Sequence, residues 1–160
     1  MGCVDRRNVV LALGGFLVLA SCGKEPPPPP PPPVVDLSIE PAADLNPDGE
    51  GTPSPAVVRL YQLASGEKFQ AADYFQLFEK EGATLGPDLL AREELIVSPG
   101  KPQRLTLPMK HDATMLGVIV SFRDIDRADW RAVADVAPSG TTALVAKISS
   151  VRLTLAKKGS

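Results

Sequence analysis

The sequence predicts an all-β protein, a β-sandwich of two sheets with about eight strands and a short helical insertion after the second strand. The main observation is that most of the chain after residue 34 alternates apolar and polar residues with a period of two. These short runs are separated by turns rich in proline, glycine, asparagine and aspartate. Between the second and third runs, the period changes to the spacing of a helix.

The first 21 residues have the features of a secretory signal peptide. Arg6 and Arg7 precede VVLALGGFLVLA, a run of twelve uncharged and mostly apolar residues. As a helix this run would be about 18 Å long, which is shorter than the roughly 30 Å hydrocarbon core of a bilayer. A permanent membrane-spanning helix is therefore disfavoured, and we predict a cleaved signal at residues 1–21.

Cys22 is the only cysteine left after cleavage, because Cys3 lies within the predicted signal. No intramolecular disulfide can then form. The segment Leu19-Ala20-Ser21-Cys22 resembles a bacterial lipobox, with an apolar residue three positions before the cysteine and two small residues between. We predict that the Cys22 thiol accepts a diacylglycerol, since two or three acyl chains anchor a protein stably where one does so only marginally.

The residue after this cysteine bears on the membrane to which the protein is sorted. In bacterial lipoproteins, aspartate at this position tends to retain the protein in the inner membrane. Gly23 stands there instead. The lipobox resemblance therefore implies the periplasmic face of the outer membrane as the default location.

An unbroken run of eight prolines, Pro26 to Pro33, follows the cysteine. In polyproline II conformation it would span roughly 25 Å. We interpret residues 22–34 as the lipidated cysteine and a semi-rigid tether, and residues 35–157 as the folded domain. The alternative is that the prolines form a docking site for a proline-reading domain.

The folded domain begins with two predicted strands, residues 35–39 and 57–63, that are joined by a long loop. Residues 41–55, PAADLNPDGEGTPSP, are turn-forming almost throughout. Loops of this length are uncommon in compact domains and are often functional. This loop is the first place to look for a contact surface.

The helical insertion is predicted in FQAADYFQLFEKEG, where Ala71, Phe75 and Phe78 recur at helical spacing and Gly82 lies just past the end of the helix. Pro87 is expected to open a second, shorter helical turn through residues 88–91.

The remaining strands are expected at residues 94–97, 104–108, 115–123, 130–136, 143–148 and 151–155. Residues 115–123 are the most apolar and are expected to form the central strand. The last two runs form either a hairpin across Ser149-Ser150 or one bent strand. The expected core aromatics are Phe75, Phe78, Phe122 and Trp130.

The composition argues against nucleic-acid binding. The formal charge is −2, the pI is near 5.4, and the sequence has no basic stripe.

The motifs disfavour an enzyme. His111, the only histidine, lies in a polar stretch between two strands and is expected to be an exposed turn residue. Glu93 and Glu94 are adjacent on a predicted strand, so their side chains face opposite sides and cannot act as a paired acid and base. No motif for a catalytic nucleophile, a zinc site or a phosphate-binding loop is present.

Two acidic turns, residues 46–50 and 124–129, come closest to a metal site. A calcium loop of the EF-hand type needs glycine at its sixth position, and counting from Asp124 this position holds Asp129. The expected role of these residues is therefore in turns and caps. We predict no catalytic residue, no metal, no cofactor and no small-molecule substrate.

Several motifs in a fixed order resemble one family. They are Cys22 in its lipobox, PAVVRLYQL at 55–63, FQAADYFQLFE at 69–79, TLGPDLLAREEL at 84–95, SPG at 98–100, GVIVSFRD at 117–124 and DWRAV at 129–133. Together they resemble the outer-membrane lipoprotein of bacterial type VI secretion systems, the TssJ (VasD, SciN-like) family. The resemblance covers residues 35 to 156.

This resemblance implies a transthyretin-like sandwich of two four-stranded sheets. It also implies that the protein anchors the secretion membrane complex to the outer membrane by binding the periplasmic C-terminal domain of the inner-membrane protein TssM. In this family the loop between the first two strands is associated with that contact. Here the tip of this loop is Asn46, Pro47, Asp48, Gly49 and Glu50.

The loop tip lacks an aromatic anchor, although interface hot spots favour Trp, Tyr or Arg. A plain solvent-exposed linker is therefore the alternative interpretation of these positions. For the whole protein, the alternative function is a periplasmic lipoprotein that binds a peptide, a sugar or a cell-wall fragment. The low aromatic content weighs against such a binding site.

Overall fold

The computed structural model describes residues 28–159, which form two four-stranded sheets packed face to face. The strands are β1 (Pro33–Pro41), β2 (Ala56–Leu63), β3 (Leu89–Val97), β4 (Gln103–Pro108), β5 (Met115–Ser121), β6 (Arg131–Asp135), β7 (Gly140–Ser149) and β8 (Arg152–Lys157). The strand order is β4-β1-β7-β8 in the first sheet and β3-β2-β5-β6 in the second. The predicted two-sheet sandwich is confirmed.

Three short helices follow β2, namely α1 (Glu67–Ala71), α2 (Tyr74–Glu79) and α3 (Glu81–Leu85). One 3-10 turn, Gly86–Asp88, leads into β3, and another, Ile125–Arg127, lies between β5 and β6. Within residues 28–159, no helix is long and apolar enough to cross a membrane. The predicted signal peptide, Cys22 and the first prolines lie outside the described residues.

Strand β1 runs the length of the first sheet and separates the two ends of the domain. It pairs in parallel with β7, from Pro33 opposite Gly140 to Pro41 opposite Ile148, and antiparallel with β4. The proline-rich segment therefore enters at one end of the sandwich, and the loop after Pro41 begins at the other. A strand of nine residues is about 30 Å long, which is the distance between the two ends.

The space between the sheets is filled by alternate residues of the strands. In β1, Val35, Leu37 and Ile39 are fully buried, while the residues between them are only partly buried. Leu144 and Ile148 of β7 follow the same alternation. This period-two burial is the pattern seen in the sequence.

The second sheet is also covered on its outer face. Tyr61 and Leu63 of β2 and Ile119 of β5 point away from the sandwich core, yet all three are fully buried. They pack against Phe69 and Leu77 from the helical layer. The inner strands β2 and β5 are therefore buried on both faces.

Side chains of the sheet bind the free carbonyls at the helix ends. Arg59 donates a hydrogen bond of 2.6 Å to the carbonyl of Phe78, and its guanidinium lies 3.8 Å from the centre of the Phe78 ring. The hydroxyl of Tyr61 donates to the carbonyl of Leu77 at 3.0 Å. Burial raises the pKa of this hydroxyl far above its ordinary value, so it remains a donor.

Arg131 binds the end of α1 in the same way, with hydrogen bonds to the carbonyls of Phe69 at 2.9 Å and Ala72 at 2.6 Å. The last carbonyls of a helix have no partner within the helix, and burying them unpaired would be costly. Arg59 also pairs with Glu94 at 2.6 Å and Glu81 at 3.3 Å. These contacts fix the helical layer on the sheet.

The prediction of one helix from residue 69 that ends just before Gly82 is wrong, and Gly82 itself lies within α3. α1 ends at Ala71, Ala72 is extended, and Asp73 starts a new helix. The Asp73 carboxylate accepts the Gln76 amide at 2.8 Å, and the Gln76 side chain accepts the Asp73 amide at 2.9 Å. This capping box is a helix-start signal, and it breaks the run into separate helices.

Two further expectations need correction. The short helical turn expected at Pro87 is present as the 3-10 turn Gly86–Asp88, but it does not extend to residue 91, because β3 already begins at Leu89, where it pairs with Leu63 at the end of β2. Phe75 is not in the core, since 58% of it is exposed. The new helix that starts at Asp73 turns Leu77 rather than Phe75 towards the sheet.

Other expectations hold. Phe122 is buried, and Phe78 and Trp130 are partly buried against the core clusters. β5 is an inner strand, and the last two runs form a hairpin in which Ser149 lies opposite Arg152.

The start of the first strand differs from the expectation. β1 begins at Pro33, two residues earlier than expected, because it pairs in parallel with β7 as far as Gly140.

Replacing Gly117 with alanine is expected to lower the free energy of unfolding by about 1–3 kcal/mol, the usual cost of overpacking a core. A Cβ atom at Gly117 would lie 2.8 Å from Cζ of Phe69 and 3.0 Å from Cδ1 of Leu63, and both side chains are fully buried. Urea denaturation of the full-length chain measures the change.

Gly82→Ala is the matched control for this substitution. A Cβ atom at Gly82 would meet nothing within 4 Å, and alanine favours the helix that contains it. Its stability should equal or exceed that of the wild type. An unchanged midpoint for Gly117→Ala would contradict the close packing between β5 and the helical layer.

Candidate functional site

Three chain segments meet at the end of the sandwich that lies away from the proline-rich segment. They are the loop between β1 and β2 (42–55), the segment between β5 and β6 (122–130) and the turn between β7 and β8 around Ser150. We call this region the loop end. It contains the loop that the sequence singled out.

Asn46 connects the three segments of the loop end. It is 3% exposed, and its amide donates to the carbonyl of Ser150 at 2.8 Å. Its side-chain nitrogen donates to the carbonyl of Pro55 at 2.9 Å, and its side-chain oxygen accepts the amide of Arg123 at 2.8 Å. Its φ of +49° lies in the left-handed region, which asparagine tolerates better than most residues.

The base of the loop is part of the core. Leu45 is fully buried in the sandwich, and its carbonyl accepts the amide of Ser54 at 3.0 Å. The carbonyl of Ala42 accepts the amide of Gly100 at 3.1 Å, which joins the loop to the turn between β3 and β4. The loop therefore emerges from a fixed base.

The loop tip is closed by hydrogen bonds to Asp48. One oxygen of its carboxylate accepts the amides of Thr52 at 2.8 Å and Glu50 at 2.9 Å. These backbone hydrogen bonds lower the pKa of the Asp48 carboxyl below its ordinary value. The carbonyl of Asp48 accepts the amide of Gly51, whose φ of +85° suits glycine.

The five loop residues predicted as partner contacts differ in exposure. Asn46 is buried, Pro47 and Asp48 are partly exposed, and Gly49 and Glu50 are exposed. A partner can therefore touch residues 47–50, whereas Asn46 positions them. Whether these residues bind a partner stays a prediction.

A cleft of about 670 Å³ lies between the loop tip and the two neighbouring segments. Its lining includes Pro47, Asp48, Arg123, Asp124, Arg127 and Ser150. Sequence reasoning did not include the two arginines in the site. Arg123 follows Asn46 by 77 positions, so no local pattern shows that they are neighbours.

The cleft contains one internal ion pair. Nε of Arg127 lies 2.6 Å from an oxygen of Asp124, and this hydrogen bond lowers the pKa of the Asp124 carboxyl. The guanidinium of Arg123 makes no ion pair or hydrogen bond with any residue between 28 and 159.

His111 and Asp129, two side chains considered from the sequence, each pair with one charged residue in the structure. The side chain of His111 is 96% exposed and contacts only Asp112, at 3.1 Å, as expected for a turn residue. Asp129, from the acidic turn considered as a metal site, pairs with Arg152 at 2.9 Å. No group of three potential metal ligands occurs between residues 28 and 159.

The described residues form a small all-β protein of two four-stranded sheets, with a helical layer on one sheet and an organised loop end. The chain matches the sequence model of one family over residues 33–155, described as type VI secretion lipoprotein, VasD, EvfM, TssJ, VC_A0113. The chain belongs to this family of type VI secretion lipoproteins, whose members are structural components. The family expected from the sequence motifs is confirmed.

Solved structures support the same assignment. The T6SS lipoprotein TssJ1 from Pseudomonas aeruginosa is 32% identical, with a TM-score of 0.77 over 81% of this chain and 99% of that chain. A chain of a type VI membrane complex is 28% identical, with a TM-score of 0.68 over 78% of this chain and 98% of that one.

A third similar chain comes from a structure described as the T6SS protein TssM C-terminal domain from EAEC. It is 27% identical, with a TM-score of 0.65 over 79% of this chain and 99% of that one. No curated protein sequence matches the chain.

Replacing Asn46 with glycine is expected to lower the free energy of unfolding by about 2–3 kcal/mol, because two partly buried backbone groups lose their hydrogen-bond partner. Glycine accepts the positive φ, whereas Asn46→Ala should cost roughly 1 kcal/mol more through backbone strain. Urea denaturation measures both values. Hydrogen exchange at the Arg123 amide reports the local loss of protection.

Glu50→Ala is the control in the same loop, since the Glu50 side chain is exposed. It should leave both the stability and the exchange of the Arg123 amide unchanged. If that amide stayed as protected in Asn46→Gly as in the wild type, Asn46 would not be what holds the segments together.

Proposed function

We propose that this chain is a lipoprotein held at the periplasmic face of the outer membrane by acyl chains on Cys22. Its sandwich binds the periplasmic C-terminal domain of a TssM-like inner-membrane protein and so tethers the secretion membrane complex to the outer membrane. The observation that carries this proposal is the placement of the tether and the loop end at opposite ends of β1, in a member of the type VI secretion lipoprotein family.

The geometry suits a molecule that is anchored at one end and binds at the other. The chain enters the sheet at Pro33, whose carbonyl accepts the amide of Met109 at 3.0 Å. The loop end lies about 30 Å away, which is the length of the nine-residue strand β1 at the usual rise per residue of a strand. A partner that reaches across the periplasm from the inner membrane would meet the loop end first. The predicted proline tether would add to this separation.

The loop tip is also suited to binding because it is already ordered. Hydrogen bonds to Asp48 and Asn46 hold the backbone of residues 46–52 in one arrangement. A preorganised surface loses less conformational entropy on association than a mobile loop does. We propose that residues 47–50 contact the partner and that Asn46 positions them.

The choice of partner rests on two similarities. A chain of this fold is part of a type VI membrane complex, and another occurs in a structure described by the TssM C-terminal domain. These similarities support a TssM-like protein as the binding partner.

The contact itself can be tested with a bulky side chain at the loop tip. A Cβ atom at Gly49 would meet nothing within 4 Å, so Gly49→Trp should fold normally and obstruct the partner. The full-length chain in detergent is mixed with the periplasmic domain of the TssM-like protein, and binding is measured by calorimetry. We expect a one-to-one complex for the wild type and binding at least about tenfold weaker for Gly49→Trp.

His111→Trp is the matched control, because His111 is also exposed but lies at the opposite end of the domain. It should bind like the wild type. If the wild type failed to bind, the proposed partner would be wrong, and a periplasmic ligand-binding role would become the better hypothesis. If Gly49→Trp bound normally, the loop would not be the contact.

The anchor is tested by Cys22→Ala placed behind a conventional cleavable secretory signal. We expect a folded protein that moves from the outer-membrane fraction to the soluble periplasmic fraction and no longer supports secretion. Circular dichroism checks the fold, and labelling with radioactive palmitate should be lost. A variant that still fractionated with the outer membrane would show that lipid on Cys22 is not what holds the protein there.

A further inference from the structure

Among the described residues that line the cleft, one charged side chain has neither an ion-pair partner nor a hydrogen-bond partner. Asp124 and Arg127 pair with each other, and the carboxylate of Asp48 accepts two backbone amides. Arg123 is exposed, lines the cleft, and has no side-chain partner between residues 28 and 159. Its guanidinium retains its full set of donors for a ligand.

The backbone beneath this guanidinium is fixed. The Arg123 amide donates to Asn46 at 2.8 Å, and Asn46 in turn binds the carbonyls of Ser150 and Pro55. All three walls of the cleft are therefore connected through one buried residue, by its side chain and its backbone amide. The site is therefore preformed, and little conformational entropy of the backbone is lost when a ligand binds in the cleft.

We propose that Arg123 is the main anchoring residue of the partner interface and that the cleft receives an acidic side chain of the partner's periplasmic domain. This inference rests on the function proposed above. The planar guanidinium presents a rigid fork of donors that matches a carboxylate. Arginine is also one of the residue types that dominate interface hot spots, whereas residues 47–50 contain no Trp, Tyr or Arg.

The charges around the cleft favour a carboxylate held by a protein over a free anion. The charge of Asp48 faces the same space, since Arg123, after the backbone hydrogen bonds, helps to lower the pKa of the Asp48 carboxyl. A small anion would feel this repulsion with little to offset it. A protein carboxylate would also bring apolar contacts with Pro47 and Val151, which line the cleft.

Two substitutions at the cleft test the sign of the partner's charge. Arg123→Glu reverses the proposed donor, and we expect binding to weaken by about tenfold or more, with a smaller loss for Arg123→Lys, which keeps the charge but not the fork. Asp48→Asn keeps an oxygen that can accept both amides and removes the opposing charge. It should bind more tightly than the wild type, by up to about tenfold.

The measurement uses the full-length chain in detergent and the immobilised periplasmic domain of the TssM-like protein, with association followed at low and high salt. Thermal unfolding confirms that each variant is folded. Arg104→Glu is the charge-matched control, because Arg104 is exposed on β4 in the other sheet. It should leave affinity unchanged. The difference between the wild type and Arg123→Glu should shrink at high salt.

The outcomes separate this inference from the function on which it rests. If the wild type binds and Arg123→Glu binds equally well, the role of the cleft is overturned while the proposed function stands. If Asp48→Asn weakens binding by tenfold, the partner's group is cationic and the inference is again overturned. If the wild type does not bind the periplasmic domain at all, both the proposed function and this inference are overturned.

Discussion

Burial of the inner strands of the second sheet on both faces is the constraint from which the rest of the architecture follows. One face of β2 packs into the sandwich through Val58 and Leu60, and the other packs under the helices through Tyr61 and Leu63. Such a layer brings helix ends, with their unpaired carbonyls, against an apolar surface. Side chains of the sheet solve this problem by binding those carbonyls, as Arg59 does.

At the loop end, one asparagine supplies hydrogen-bond partners for backbone groups that would otherwise lack them. Three chain segments leave the sandwich there, and their backbone groups are no longer paired with a neighbouring strand. Asn46 supplies a donor and an acceptor from its side chain and a donor from its backbone, and each is used on a different segment. Because it is buried and fully bonded, it orders the loop without becoming part of the exposed surface.

In the proposed function, attachment, folding and recognition are separated along the molecule. The proposed anchor and tether precede β1, the core occupies the middle, and the candidate contact residues lie beyond Pro41. Loops on a rigid scaffold can change in sequence with little effect on the core. Members of one lipoprotein family could therefore keep this fold at modest identity, as the 32% identical TssJ1 does, and still match different partners.

The sequence by itself determined the strand-rich fold and the position of the long loop, and it predicts lipid attachment at Cys22, because all three follow from local spacing and turn chemistry. The break between α1 and α2 was also readable, since Asp73 and Gln76 form a recognised start signal. Only the tertiary structure decided that Phe75 is exposed, that Asn46 is buried, and that Arg123 lies beside the loop. Each of these depends on which distant segments approach each other, and a periodic pattern carries no information on that approach.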